Sequence, residues 1–137
     1  MSYFNAEHYP DPTAYQAILN IENEVRSYKA MVYICSPYAG DVERNIRNAQ
    51  RYSRFAVSRG VIPLAPHLLF TQFLDDKVLM ERELGMQFGR VLMARCGEVW
   101  VFGDDITRGM AAEIKLAKWM NRRIRYFDDD LREVRRV

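Results

Sequence analysis

The sequence contains few of the residues that build disulfide frameworks or metal sites. Its 137 residues include two cysteines, Cys35 and Cys96, and two histidines. Two cysteines cannot form a disulfide framework, and their spacing does not match a zinc site. The sequence therefore favours a protein of a reducing compartment, and no cluster of ligating residues predicts a bound metal.

A long apolar run and a strong net charge are also absent. No run approaches the roughly 20 apolar residues that span a bilayer, and residues 1–14 are too polar for a signal peptide. The 20 basic and 18 acidic residues give a net charge of +2, which is too small to indicate a nucleic-acid partner. We therefore expect a cytoplasmic protein that binds neither membranes nor nucleic acid.

The apolar content that is present suffices for one folded core. Hydrophobic residues make up 49% of the chain and charged residues 28%, which excludes a disordered or collagen-like chain. The length fits one domain. Short apolar runs predict strands over residues 31–35, 61–66, 98–103 and 123–127. Helical periodicity predicts helices over residues 12–28, 44–58, 78–94 and 108–120.

Several side chains are assigned to the core by this pattern. Leu84, Phe88, Val91 and Leu92 form the predicted apolar stripe of the helix over residues 78–94. Both tryptophans, Trp100 and Trp119, are interpreted as core residues. The charged tail, residues 128–137, is expected to add at most a short helix.

The alternation of strands and helices predicts a Rossmann-like or flavodoxin-like three-layer α/β sandwich. Its parallel sheet has four to five strands, with an N-terminal helix added. We divide the chain into an N-terminal helical extension, residues 1–29, and an α/β domain, residues 30–137. The first strand is expected at the centre, the second on one flank, and the third and fourth on the other. Ligands bind where such a strand order reverses, so the loops 36–41 and 103–109 are expected to meet there.

Glu113 is the residue in the last helix that most clearly points to chemistry. It is the lone charge in a stripe of small and apolar residues that includes Gly109, Ala112 and Leu116. Burying a carboxylate against the domain lowers the stability of the fold unless the protein supplies hydrogen-bond donors or the carboxylate serves a ligand. The alternative interpretation is a glutamate at the edge of the stripe that reaches solvent or an arginine.

Three elements in this order resemble the nucleoside 2-deoxyribosyltransferase-like family, which includes the 2-deoxynucleoside 5′-phosphate N-hydrolases. They are a strand followed by Ser36-Pro37-Tyr38-Ala39-Gly40, an acidic site in Glu81-Arg82-Glu83-Leu84, and Thr107-x-Gly109-Met110-x-x-Glu113. The likeness spans about residues 30–127 and is nearest to uncharacterised phage and bacterial members. A bacterial or phage-encoded protein is therefore expected.

The resemblance implies cleavage of a nucleoside N-glycosidic bond, by hydrolysis or by transfer to a second base. Glu113 matches the family's nucleophile, which forms a glycosyl ester. Glu83 matches a second acid, at a position where the family more often has Asp, and would act as general acid or base. The alternative for Glu83 is a solvated helix residue. No cofactor or metal is implied.

The resemblance also implies contacts with a nucleoside or nucleotide. The candidate substrate-binding residues are Ser36, Pro37, Tyr38, Gly40, His67, Thr107, Arg108, Gly109 and Met110. Hydroxyls in the first turn can contact a ribose or a 5′-phosphate, and the start of the last helix offers free backbone N–H groups. His67 can contact a base or phosphate, or be only a capping or surface residue.

Members of the family place their active sites at or near subunit contacts, so a homodimer or larger homo-oligomer is implied. The N-terminal extension is a candidate for that contact, and the alternative is that it folds over the crevice as a lid through Tyr9 and Tyr15. Two functions of other classes stay open. One is a nucleotide-binding sensor or sequestering protein that does not turn its ligand over. The other is an interaction protein for which the fold is only a scaffold.

Overall fold

A five-stranded sheet forms the centre of the fold. The computed structural model of the chain describes residues 12–26 and 29–136. The strands are β1 (Met31–Cys35), β2 (Ile62–Leu64), β3 (Glu98–Phe102), β4 (Arg123–Phe127) and β5 (Glu133–Val134). Their order is β2-β1-β3-β4-β5; the first four are parallel and β5 is antiparallel to β4. The predicted fold class and the predicted order of the first four strands are confirmed.

Helices connect the parallel strands and cover both faces of the sheet. They are α1 (Pro12–Arg26), α2 (Val42–Ser58), α3 (Pro66–Leu69), α4 (Leu79–Arg95) and α5 (Arg108–Trp119), with a 3₁₀ turn at Phe70–Gln72 between α3 and α4. Within the described residues, no helix is long and apolar enough to cross a membrane. Residues 1–11, 27 and 28 of the N-terminal extension, the predicted contact segment, lie outside the described residues.

Alternate side chains of β1 enter two separate apolar clusters, because successive strand residues point to opposite faces. Tyr33 and Cys35 pack with Met93 of α4 and with residues of α5. Val32 and Ile34 pack on the other face, in an aromatic cluster that contains Trp100, with α2 above it. The face that carries Tyr33, α4 and α5 is the one on which the candidate site is built.

The inward face of α4 differs from the predicted one. Leu84, Phe88 and Val91 are 40%, 37% and 52% exposed, whereas Gly89 and Met93 are buried. A side-chain carbon added at Gly89 would lie 3.4 Å from the Tyr33 hydroxyl oxygen. The helix therefore presents Gly89 to the sheet, and its backbone lies close to the Tyr33 side chain.

One further expectation about the core was wrong. Trp119 is 79% exposed at the end of α5, whereas Trp100 is buried as predicted. The tail forms no helix over its described part. It turns at Leu131, which has a φ of 65°, and returns as β5 beside β4. Arg125 of β4 closes this edge through a bidentate pair with Glu133 of β5, with N–O distances of 2.9 and 2.7 Å.

The two tryptophans provide a matched test of this core assignment. We expect Trp100→Ala to lower the free energy of unfolding by about 3–5 kcal/mol, because it leaves a cavity among packed aromatic rings. Trp119→Ala removes a mostly exposed ring and is expected to change stability by less than about 0.5 kcal/mol. Urea denaturation of both variants measures the difference, and equal losses would contradict the assignment.

Candidate active site

A pocket of about 450 Å³ opens at the carboxyl ends of the central strands. The loop after β1, the start of α5, α3 and the glycine face of α4 line it. β1 lies between β2 and β3, so the chain order reverses at this point of the sheet. A pocket at such a reversal is the usual ligand position in open parallel sheets.

The carboxylate of Glu113 lies at the inner end of this pocket. Its Oε2 atom is buried and has no hydrogen-bond partner among the described residues. Burial raises the pKa of Glu113 to about 7, and the hydroxyl of Tyr33 and the thiol of Cys35 partly oppose this by favouring the charged form. Neither group reaches Oε2 in hydrogen-bond geometry, so the carboxylate keeps an unused, poorly solvated acceptor.

His67 approaches the same carboxylate from α3. Its Nε2 atom lies 3.8 Å from Oε1 of Glu113. The imidazole stacks on the ring of Tyr38, with centroids 4.9 Å apart and planes inclined by 23°. Burial lowers the pKa of His67, while the negative charge of Asp76 and the backbone of Ser36 act in the opposite direction. Ring stacking on Tyr38 therefore fixes the position of His67, and burial favours its neutral form.

The loop after β1 is fixed by hydrogen bonds to its backbone. The side-chain amide of Asn45 donates to the carbonyls of Tyr38 and Ala39, at 2.9 and 3.0 Å. Gly40 has a φ of 97°, a conformation that side chains rarely adopt, so the chain turns there into α2. Ser36 is buried, and its hydroxyl lines the pocket without a partner in the described part of the chain.

The start of α5 faces the pocket with its backbone. Thr107 caps the helix, since its Oγ1 accepts a hydrogen bond of 3.2 Å from the N–H of Met110. The first turn of any helix has unpaired N–H groups and a partial positive charge. The start of α5 therefore gives one side of the pocket a positive potential, whereas the Glu113 carboxylate gives its inner end a negative charge when it is ionised.

Charged side chains also line the pocket. The cationic ones are Arg82, Arg90 and Arg108, and the acidic ones besides Glu113 are Asp76 and Glu81. None of the three arginines forms an ion pair within residues 12–26 and 29–136. Over the same residues no group of His, Cys, Asp and Glu has the arrangement of a metal site.

The structure brings most of the sequence-predicted residues to one place. Those lining the pocket are Ser36, Tyr38, His67, Thr107, Arg108, Gly109, Met110 and Glu113. Pro37 and Gly40 shape the loop but do not line the pocket. Glu83 does not line it either: its side chain is exposed, and Glu81, two residues earlier on α4, lies at the pocket instead.

Tyr33, Asp76 and Glu81 are among the pocket residues that the sequence analysis did not propose as site residues. Tyr33 could have been found, because it lies two residues before Cys35 in β1 and therefore points to the same face of the sheet. Asp76 carried no local signal, and Glu81 was noted only within the acidic element that includes Glu83, because the positions of both side chains depend on how the segment between β2 and α4 folds back over the pocket. Such a path is a tertiary property of the chain.

Comparisons with known proteins agree with this geometry at the level of the fold. A family model described as "Domain of unknown function (DUF7768)" matches residues 30–127. No curated protein matches the sequence. The chain is similar to a solved 2-deoxyribosyltransferase from the psychrotolerant bacterium Bacillus psychrosaccharolyticus, with a TM-score of 0.62, 13% identity and 72% of each chain covered. It is also similar to a 2-deoxyribosyltransferase from Leishmania mexicana, with a TM-score of 0.53, 14% identity, and 72% of this chain and 64% of that chain covered.

The pKa of Glu113 predicts a specific dependence of stability on pH. The unfolded chain releases this proton at about pH 4.3, whereas the folded protein keeps it up to about pH 7. Stability associated with Glu113 is therefore present at low pH and is lost as pH rises through this interval. We expect the unfolding free energy of Glu113→Gln, relative to the natural protein, to rise by roughly 3 kcal/mol between pH 4.5 and pH 8.

The matched control for this titration is Glu43→Gln, which removes an exposed carboxylate from α2 on the other face of the sheet. Its unfolding free energy relative to the natural protein is expected to stay constant within about 0.5 kcal/mol over the same pH interval. Denaturant unfolding at several pH values measures both. A pH-independent difference for Glu113→Gln would show that the carboxylate is not held in its neutral form.

Proposed function

The chain belongs to the DUF7768 family, and we propose that it cleaves the N-glycosidic bond of a nucleoside or nucleotide through a glycosyl ester on Glu113. The observation that carries the proposal is the unpartnered Oε2 of Glu113 at the inner end of the pocket. A carboxylate with a raised pKa and little solvation is a better nucleophile than one in water.

The reaction has two steps in this proposal. An oxygen of Glu113 attacks the anomeric carbon, the bond between that carbon and the base breaks, and its electron pair leaves with the base. The base takes up a proton as it departs. Water or a second base then attacks the same carbon, the ester breaks, and the carboxylate is regenerated. Both displacements invert the anomeric carbon, so the overall stereochemistry is retained.

His67 is our candidate for the proton donor to the departing base. Its Nε2 lies 3.8 Å from Glu113, so it borders the place that the anomeric carbon would occupy. Burial lowers the pKa of His67, and the negative charge of Asp76 partly opposes this, so the imidazole, once protonated, is a stronger acid than in water and can transfer its proton to a ring nitrogen. Glu81 is the second candidate, since it lines the pocket where Glu83 does not. Tyr38, stacked on His67, is positioned to contact a base.

The role of Glu113 is tested by base release from a panel of nucleosides and 5′-monophosphates. We expect Glu113→Gln and Glu113→Ala to reduce the rate by roughly 10³-fold or more, because each removes the nucleophile. A 2-fluoro sugar analogue should add its glycosyl mass to the natural protein at Glu113, as read by mass spectrometry. Chromatography of the free base measures the rate.

The control variant is Glu43→Gln, which keeps the same pocket and is expected to release base at the natural rate. Retained activity in both Glu113 variants would exclude the proposed nucleophile. Tight binding of nucleotides without release of base would instead support the sensor or sequestering function.

The charges of the pocket favour a substrate with a 5′-phosphate. Arg108 has no ion-pair partner among the described residues and lies at the electropositive start of α5, and the unpartnered Ser36 hydroxyl lines the same pocket. We therefore propose that this side of the pocket holds the phosphate. The buried carboxylate then faces the sugar, and the stacked His67 and Tyr38 rings face the base.

Arg108→Ala tests this orientation. We expect KM for a nucleoside 5′-monophosphate to rise by about 10- to 100-fold, the loss typical of a hydrogen bond to a charged group. KM for the corresponding nucleoside is expected to change by less than about threefold. Lys118→Ala, which removes an exposed cation near the far end of the same helix, serves as the control. Equal changes for both substrates would contradict a phosphate contact.

A further inference from the structure

Helix α2 carries a row of arginines on the side that faces solvent. Its 17 residues include four arginines, no lysine and one acidic residue, Glu43. The arginines are Arg44, Arg47, Arg51 and Arg54, and all four are exposed. At about 100° per residue they fall within roughly 80° of the helix circumference, and they extend along about 15 Å of its axis. They therefore form one straight row, which we call the arginine row.

The opposite side of α2 fixes the direction in which the arginine row points. Ala49, Tyr52 and Ala56 are buried against the sheet, and Tyr52 belongs to the aromatic cluster on that face. The Arg51 guanidinium lies 5.1 Å from the centre of the Tyr52 ring and donates to the backbone carbonyl of Asp129 at 2.9 Å. The helix is therefore held in one orientation, and a partner that binds the row has little of it left to order.

The positive charge of the arginine row is not neutralised by ion pairs. None of its four arginines forms an ion pair within residues 12–26 and 29–136. Glu43 and Asp129 border the row, at the start of α2 and beside Arg51, and Arg59 adds a cation just after the last turn. The net charge of +2, from which we expected no nucleic-acid partner, does not describe this uneven distribution.

We propose that the arginine row binds the phosphate backbone of a nucleic-acid duplex, without preference for base sequence. A guanidinium group donates two parallel hydrogen bonds to a phosphate, which an ammonium group does not, and the row contains only arginine. A rigid, straight row suits a rigid duplex, which carries about one negative charge per 1.7 Å of its axis. The contacts go to phosphates, so they position the duplex and do not read its bases.

Two other polyanionic partners fit the arginine row less well. Proteins commonly hold a single strand by stacking its bases on aromatic rings, and the aromatic rings of α2, Tyr52 and Phe55, pack in the cluster beneath the helix. A helix that binds a membrane surface inserts an apolar side among the lipids, and the apolar side of α2 is covered by the sheet. The row therefore offers charge and hydrogen bonds, and neither stacking nor insertion.

This inference does not depend on the proposed reaction. The pocket is built on the face of the sheet that carries Tyr33, and no residue of α2 lines it. A duplex on α2 would therefore leave the pocket open. Binding of the duplex can also be measured without any nucleoside substrate, so the two proposals can fail separately.

Titration of a fluorescent DNA duplex of about 20 base pairs with the full chain, read by anisotropy, tests the proposal. At about 50 mM salt the dissociation constant is expected to be roughly 1–10 μM. The logarithm of the affinity should fall with the logarithm of the salt concentration at a slope of about −3 to −4, because each of four phosphate contacts contributes about −0.9. A single strand of the same sequence is expected to bind several-fold more weakly.

Two double variants with the same loss of charge locate the binding surface. Arg47→Gln/Arg54→Gln removes two cations of the arginine row, so the dissociation constant should rise by roughly 10- to 100-fold and the salt slope should weaken by about 2. Lys115→Gln/Lys118→Gln removes two exposed cations from α5 and should change the constant by less than about threefold. Arg47→Lys/Arg54→Lys keeps the charge and should stay within about fivefold of the natural protein.

Four results would overturn the proposal. They are no duplex binding with up to about 100 μM protein at about 50 mM salt, an affinity that does not depend on salt, equal losses in the α2 and α5 glutamine variants, and a single strand bound as tightly as the duplex. Vesicles of phosphatidylcholine and phosphatidylserine that bind the chain where the duplex does not would assign the row to a membrane surface instead. Urea unfolding of each variant checks that the fold is kept.

Discussion

The burial of the Glu113 carboxylate is the constraint on which the pocket depends. α5 can place this group against the sheet only because its neighbouring stripe residues are small or apolar, and because β1 presents Tyr33 and Cys35 beneath it. Burial raises the pKa to about 7, so the folded chain holds a proton acceptor near neutral pH. A purely structural position would be served better by an apolar side chain, since burying an unpartnered carboxylate lowers stability.

The location of the pocket was predictable from the sequence because it follows from connectivity. Buried runs such as residues 31–35 and 98–102 can only be parallel strands when long helices join them, and parallel strands direct their carboxyl ends to one edge. Glu113 was found by a different signal, as a single charge in a small, apolar helix face. Both patterns are local in the sequence, so they can be recognised without knowledge of the tertiary packing.

The orientation of α4 could not be predicted, because the helix is apolar on two sides. The sequence analysis turned Leu84 and Val91 inward, since large apolar residues usually lie in the core. The structure instead turns Gly89 toward the sheet, where a side-chain carbon would be in van der Waals contact with the Tyr33 hydroxyl oxygen. With α4 oriented in this way, Glu81 lies at the pocket and Glu83 does not, because residues two apart on a helix face different directions.

The two sides of α4 therefore have different physical tasks. Its glycine side allows a close approach to β1 and leaves space for a ligand, whereas its outer side keeps apolar residues in contact with water. Exposed apolar side chains give a folded monomer no stability that polar side chains would not. The large apolar residues of α4 therefore do not indicate which side of the helix faces the sheet. That side is indicated by Gly89, which brings the helix within 3.4 Å of the Tyr33 hydroxyl oxygen, measured from the position of a side-chain carbon.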